Sequence, residues 1–198
     1  LGATTQMIWP KLAYQRNGST YVTHLLAYQA GDPVEWGAIA YYRKVGAKAA
    51  GTWTGILADS ALSGVTPMIC ASRLSQKVAI CWTMNTAQGL VEGPNQVDND
   101  VFYKMSLDMG ATWGAKVNVT NYVPNVDGFR AYADLAAMFA SDDKLHIMWP
   151  ARVWPGNAYD PDGTIGFDCR IQHWSENFPA VLSTVASAEW DQVNCRGG

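Results

Sequence analysis

Apolar and polar positions alternate in short runs along this chain, and three times two such runs flank a turn. Pro10 to Tyr14 and Tyr21 to Tyr28 enclose Asn17-Gly18-Ser19; Pro67 to Ser72 and Lys77 to Thr83 enclose a short polar link; Asp134 to Phe139 and Lys144 to Trp149 enclose Ser141-Asp142-Asp143. A period of two, rich in aromatic and β-branched residues and bounded by Asn, Gly, Asp and Ser, predicts three β-hairpins. After a loop, each hairpin is followed by a second pair of strands. These are Ala38 to Arg43 with Gly51 to Thr54, Val101 to Met105 with Ala115 to Val119, and Thr164 to Gln172 with Ala180 to Ser183. The pattern predicts an all-β chain of three four-stranded antiparallel units, over residues 5–58, 62–122 and 128–190.

The outer turn of the middle unit reads Ser106-Leu107-Asp108-Met109-Gly110-Ala111-Thr112-Trp113. Asp108 is a short acceptor for nearby backbone N–H groups, and Gly110 supplies the positive φ that a tight turn needs. The S-x-D-x-G-x-T-W spacing resembles the Asp-box, or BNR repeat, of sialidase-like β-propellers. The resemblance implies a propeller-type array of about three blades within a six- or seven-bladed ring. It makes Ser106, Asp108, Gly110, Thr112 and Trp113 fold residues, on the face away from any catalytic centre. In the first unit Gly51-Thr52-Trp53 keeps only the end of the pattern, and in the third Ser175-Glu176-Asn177 replaces it.

The repeat is uneven. The intervals from Pro10 to Pro67 and from Trp82 to Trp149 differ, and both exceed the roughly 40–50 residues of a compact blade, so the excess is expected in loops. A closed propeller takes about four to eight blades. Residues 1–198 are therefore expected to form one partial propeller domain. The first residue, Leu1, and the ending Cys195-Arg196-Gly197-Gly198 favour a piece of a longer chain, with closure by a second copy as the alternative.

Composition narrows the partners. Hydrophobic residues make up 48% and charged residues 16%, which fits a folded domain with a substantial core. With 14 basic against 17 acidic residues, a net charge of −3 and no basic stripe, the electrostatic footprint of a nucleic-acid binder is missing. No apolar run reaches the roughly 18–20 residues that span a bilayer, and Leu1 to Pro10 lacks signal-peptide features. Nine Trp and nine Tyr are many for this length; Trp82 and Trp149, at equivalent ends of second strands, are expected to wedge between blades.

Four cysteines bear on compartment. If the turn between them is symmetric about Ser75 and Gln76, Cys70 and Cys81 are directly opposed and a disulfide is plausible, with Cys169 and Cys195 as a second pair; four buried thiols is the other reading. Asn17-Gly18-Ser19 and Asn118-Val119-Thr120 match the glycosylation triplet and are compatible with secretion. The expected location is extracellular or at the cell surface.

In the propellers that this chain resembles, the ligand face is the one opposite the Asp-box. Here it would collect Gln29 to Trp36, Met84 to Asp100 and Pro150 to Gly163, with the lead-ins at Trp9, Thr66 and Gly128 to Asp134. Arg130, Tyr132, Asp134, Arg152, Trp154, Tyr159 and Asp160 are the candidate ligand residues there, because flat rings beside hydrogen-bonding groups suit a sugar. Asp98-Asn99-Asp100 and Asp160-Pro161-Asp162 carry oxygen donors of the kind Ca²⁺ takes, without EF-hand spacing, and turn formation explains both more simply. No other cofactor and no metal cluster is indicated; His24 and His146 fall in second strands and His173 at an outer turn.

Sialidase chemistry would need an arginine triad, a Tyr–Glu nucleophile pair and an Asp acid/base. The Arg-Ile-Pro motif that supplies the first arginine is absent, and only Arg130 and Arg152 are suitably placed. The expected function is therefore a non-catalytic recognition or surface scaffold that binds carbohydrate. The alternatives are a sialidase-like exo-glycosidase completed by blades outside this chain, or a structural subunit of an extracellular assembly. Partners are glycans, the rest of a longer chain or a second copy.

Overall fold

The computed structural model describes residues 6–30, 38–46, 51–60, 67–85, 99–123, 129–132, 134–153 and 169–188. Among them every helix or strand is a β-strand, and no helix is long and apolar enough to cross a membrane. Strands β1 (Gln6–Asn17), β2 (Thr20–Ala30), β3 (Ala38–Val45) and β4 (Trp53–Ser60) form an antiparallel meander in that order. A second meander consists of β5 (Met68–Ala71), β6 (Val78–Asn85), β7 (Asn99–Ser106) and β8 (Val117–Asn118). After β9 (Phe129–Ala131), a third runs through β10 (Ala136–Phe139), β11 (Leu145–Val153), β12 (Cys169–Ser175) and β13 (Ser183–Ala188). Because β9 pairs with the end of β11 beside β10, it acts as the first half of a broken innermost strand. One pair, Asn99 opposite Ala131, joins β7 to β9 and so links the second and third units. The fold is a propeller-type array of three four-stranded antiparallel units.

β5 packs against β1 on one side and β10 on the other, so the first strands of the units gather together. Two cores lie between the units. In one, Leu26, Ile39 and Tyr41 meet Ile69, Val78, Ile80, Trp82 and Phe102; in the other, Ala79, Cys81 and Val101 meet Leu145, Ile147, Trp149 and Trp174. Side chains alternate across a strand. β6 thus sends Val78, Ile80 and Trp82 to one core and Ala79 and Cys81 to the other, which is why Val78 to Trp82 is an unbroken apolar run. Trp82 and Trp149 are each 1% exposed and fill separate inter-unit cores, as their equivalent positions predict. The first and third units keep apolar side chains exposed, among them Leu12 and Tyr14 in β1 and Met138 and Met148 in β10 and β11.

The hairpin between β5 and β6 corrects the cysteine pairing. Cys70 lies opposite Ala79, and Cys81 opposite Met68, so the two thiols are diagonal neighbours and both are free. The reason is local. The Ser72 hydroxyl accepts the N–H groups of Leu74 and Ser75, and the Ser72 N–H donates to the Lys77 carbonyl, centring the turn between Leu74 and Ser75. Burial pushes the Cys70 thiol up to about 12 and raises the Cys81 thiol well above its ordinary value, so both are inert in the native state.

The Ser106–Trp113 turn docks the second unit on the first. Asp108 accepts the Thr112 hydroxyl (2.6 Å), the Thr112 N–H (2.8 Å) and the Ser106 hydroxyl (2.7 Å), while Ser106 Oγ accepts the Gly110 N–H (2.8 Å). The Thr112 hydroxyl, more than any other partner, holds the Asp108 carboxyl at about 2. Arg43 Nε donates to the Met109 carbonyl at 2.8 Å, and Trp113 meets the Tyr41 ring edge-on at 4.9 Å.

Beneath this turn His24 is fully buried, with Nδ1 2.8 Å from the Tyr41 hydroxyl. Desolvation, aided by the Arg43 cation, lowers its imidazole from 6.5 to about 4. As pH falls below 6.5 the unfolded chain binds a proton that the folded state refuses. His24 should therefore cost about 1 kcal/mol of stability per pH unit down to about pH 4, and no more below it. Thermal unfolding across that range checks this: any stability advantage of the parent over His24→Gln should shrink as pH drops from 6.5 to 4.

Candidate functional site

The two ends of the strands carry different chemistry. At the turn end, polar side chains tie neighbouring units together. The Gln15 amide donates to the carbonyls of Ser72, Ser75 and Lys77; Ser72 and Ser75 donate to the Asp143 carboxylate; Lys77 donates to the Asp143 carbonyl at 2.8 Å and lies 3.9 Å from Glu176. The Gln76 carbonyl accepts the Met109 N–H.

At the opposite end, where β6 and β11 finish and β7, β9 and β12 begin, Thr83, Asn99, Asp100 and Arg130 are all at most 2% exposed. The chain winds around Asp100. Its carboxylate accepts the Thr120 hydroxyl (2.7 Å), the Tyr122 N–H (3.0 Å) and the Asn118 side-chain amide (3.1 Å). Tyr122 in turn donates its hydroxyl to Gln172 of β12, and the Arg130 guanidinium sits 5.1 Å over the Tyr122 ring. Asp100 thus holds Tyr122, and Tyr122 ties the second unit to the third. Sequence reasoning did not find this arrangement, although the close spacing of Asn118, Thr120 and Tyr122 carries its signal. The amide of Asn118, read as part of a glycosylation triplet, is committed to Asp100, whereas Asn17 lies on an exposed hairpin turn.

The candidate ligand residues separate into three groups. Arg130 is buried in β9, directly opposite Arg152 in β11, and the Tyr132 N–H donates to the Pro150 carbonyl at 2.8 Å. Asp134 is exposed, accepts the Leu135 N–H at 2.9 Å, and borders a cleft of about 280 Å³ with Met148, Trp149, Pro150 and Ile171. Trp154, Tyr159, Asp160 and Cys195 lie outside the described residues, and of Arg152 and Cys169 only the backbone is described. Within this group the structure joins the stems of two segments, 129–134 and 150–153, but sets Arg130 in the interior and Asp134 at the surface.

His173 stands in β12, not at an outer turn. Its ring stacks on His146 at 5.1 Å, with Nε2 2.8 Å from His146 Nδ1, and desolvation followed by the His146 charge lowers its pKa. Among the described residues no three metal-ligating side chains cluster.

No family model matches the chain, and no curated protein does. Several solved structures are similar to it, two of them sialidases of Trypanosoma rangeli. One is a Trypanosoma rangeli sialidase at 10% identity, over 93% of this chain and 31% of that one, with a TM-score of 0.49. The other is a Trypanosoma rangeli sialidase in complex with sialic acid, at 14% identity over 90% and 30%, with a TM-score of 0.43. The chain spans less than a third of the length of these sialidases.

Proposed function

We propose that the chain is the recognition or surface-scaffold part of a propeller-type protein that works outside the cell and takes a carbohydrate at the strand end opposite the turns, without catalysing a reaction. The observation that carries this reading is the register of β9 on β11. Arg130 and Arg152 are distant in sequence yet directly paired, so the two segments richest in candidate ligand groups start from one place. From those stems Tyr132, Asp134, Trp154, Tyr159 and Asp160 would offer rings to stack on a sugar and polar groups for its hydroxyls. The buried ties at Asp100 and Tyr122 keep the platform rigid, which lowers the ordering cost of binding. Further blades, or a second copy, would cover the exposed side chains around Leu12 and Met138.

A glycan array probed with the parent and Trp154→Ala tests the proposal. Binding by the parent, weakened at least about tenfold in the variant, is expected; a parent that binds no glycan contradicts it. The backbone pairing of Arg130 with Arg152 favours a second reading, a sialidase-like exo-glycosidase completed by blades outside this chain, since such chemistry would need arginines for a substrate carboxylate. We place it second because Arg130 is buried against Tyr122 and better set to brace the strand end. Hydrolysis of a fluorogenic sialoside by the full protein, lost in Arg152→Ala, would select the enzyme; neither binding nor hydrolysis would select a structural subunit.

A further inference from the structure

A larger cleft, of about 620 Å³, opens at the turn end between the first hairpin turns of units one and two and the Ser106–Trp113 turn. Arg16, Asn17, Arg73, Leu74, Gln76 and Leu107 line most of it, and no acidic residue is among its described lining. Two cations thus share one concavity in a chain whose net charge is −3. The walls are fixed from beneath by the Gln15 amide, by Ser72 Oγ under the Leu74 and Ser75 N–H groups, and by the Met109 N–H on the Gln76 carbonyl. Arg16 is itself held, with Nε donating to the Gly18 carbonyl at 2.9 Å and the guanidinium 5.2 Å over the Tyr21 ring. Leu74 and Leu107, 65% and 69% exposed, add aliphatic surface. No aromatic ring is among its described lining to stack on a sugar.

We propose that this cleft binds an acidic peptide segment, with an Asp or Glu carboxylate taken by Arg16 and Arg73 and a neighbouring apolar side chain resting on Leu74 and Leu107. Guanidiniums are suited to carboxylates by charge and by their forked donors. The amides of Asn17 and Gln76 are at hand for the peptide backbone. Turns already held in place lose little freedom on binding. The site is independent of the strand-end reading and lies at the other end of the units.

The test is calorimetric titration of the whole chain at low salt with acetyl-Leu-Glu-Glu-Leu-amide, its Gln-for-Glu counterpart, and tetragalacturonate as an acidic sugar. The Glu peptide should bind, the Gln peptide should not, and Arg73→Gln or Leu74→Ala should each weaken binding by about fivefold to tenfold. An unchanged melting curve for Arg73→Gln shows that its fold is intact. The proposal is overturned if the Glu peptide does not bind at millimolar concentration, if both variants bind it as the parent does, or if tetragalacturonate binds and the peptide does not.

Discussion

Gly110→Ala is expected to lower the thermal midpoint by roughly 10 °C, whereas Gly18→Ala should lower it by only about 2–5 °C. Both glycines have positive φ, +77° and +58°, so an added Cβ meets the same left-handed penalty at each, about 1–2 kcal/mol. Their surroundings differ. At Gly18 nothing lies within 4 Å of the new carbon, while at Gly110 it would fall 1.9 Å from the Tyr41 hydroxyl and 2.9 Å from its ring carbon. Tyr41 cannot retreat easily, since it is packed in the core, bound to His24 and edge-on to Trp113. Removing the hydroxyl relieves the worst contact, so Gly110→Ala should cost less in a Tyr41→Phe background than alone. Equal losses at Gly18 and Gly110 would mean that the Ser106–Trp113 turn does not rest on the first unit.

Trp82→Ala should cost about 3–5 kcal/mol in chemical denaturation, near the top of the range for single substitutions. The indole is 1% exposed, lies in the core shared by the first two units and stacks on Phe102 at 6.0 Å. Truncation removes apolar burial and leaves a cavity where neither unit can collapse without moving the other. Trp53→Ala is the matched control. Trp53 is 42% exposed on an outer strand with Lys44 5.9 Å over its ring, and its loss should cost under about 1 kcal/mol. A Trp82 variant as stable as the Trp53 variant would remove the inter-unit core.

What was legible in the sequence was what local pattern controls. Alternation gave the strands and their grouping into three units, the Ser106 to Trp113 spacing gave a locked turn, and the equivalent positions of Trp82 and Trp149 gave wedges between units. What was not legible depends on partners remote in sequence or on fine turn chemistry. The Ser72 hydroxyl, by capping Leu74 and Ser75, moved the hairpin register and took Cys70 away from Cys81. Asp100 looked like a turn residue because its donors stand at Asn118, Thr120 and Tyr122. Arg130 read as a ligand residue because burial under Tyr122 is a tertiary fact. His173 joined a strand because β12 runs on to Ser175.

Carbohydrate recognition at the strand end opposite the turns, with the Ser106–Trp113 turn taking no part in it, is tested most directly by mapping amide chemical shifts while a glycan that binds on the array is added. Shifts at Phe129–Ala131, Tyr132 and Ala151 to Val153, with none from Leu107 to Thr112, are predicted. Shifts confined to Leu107 to Thr112, with β9 and β11 unmoved, would contradict it.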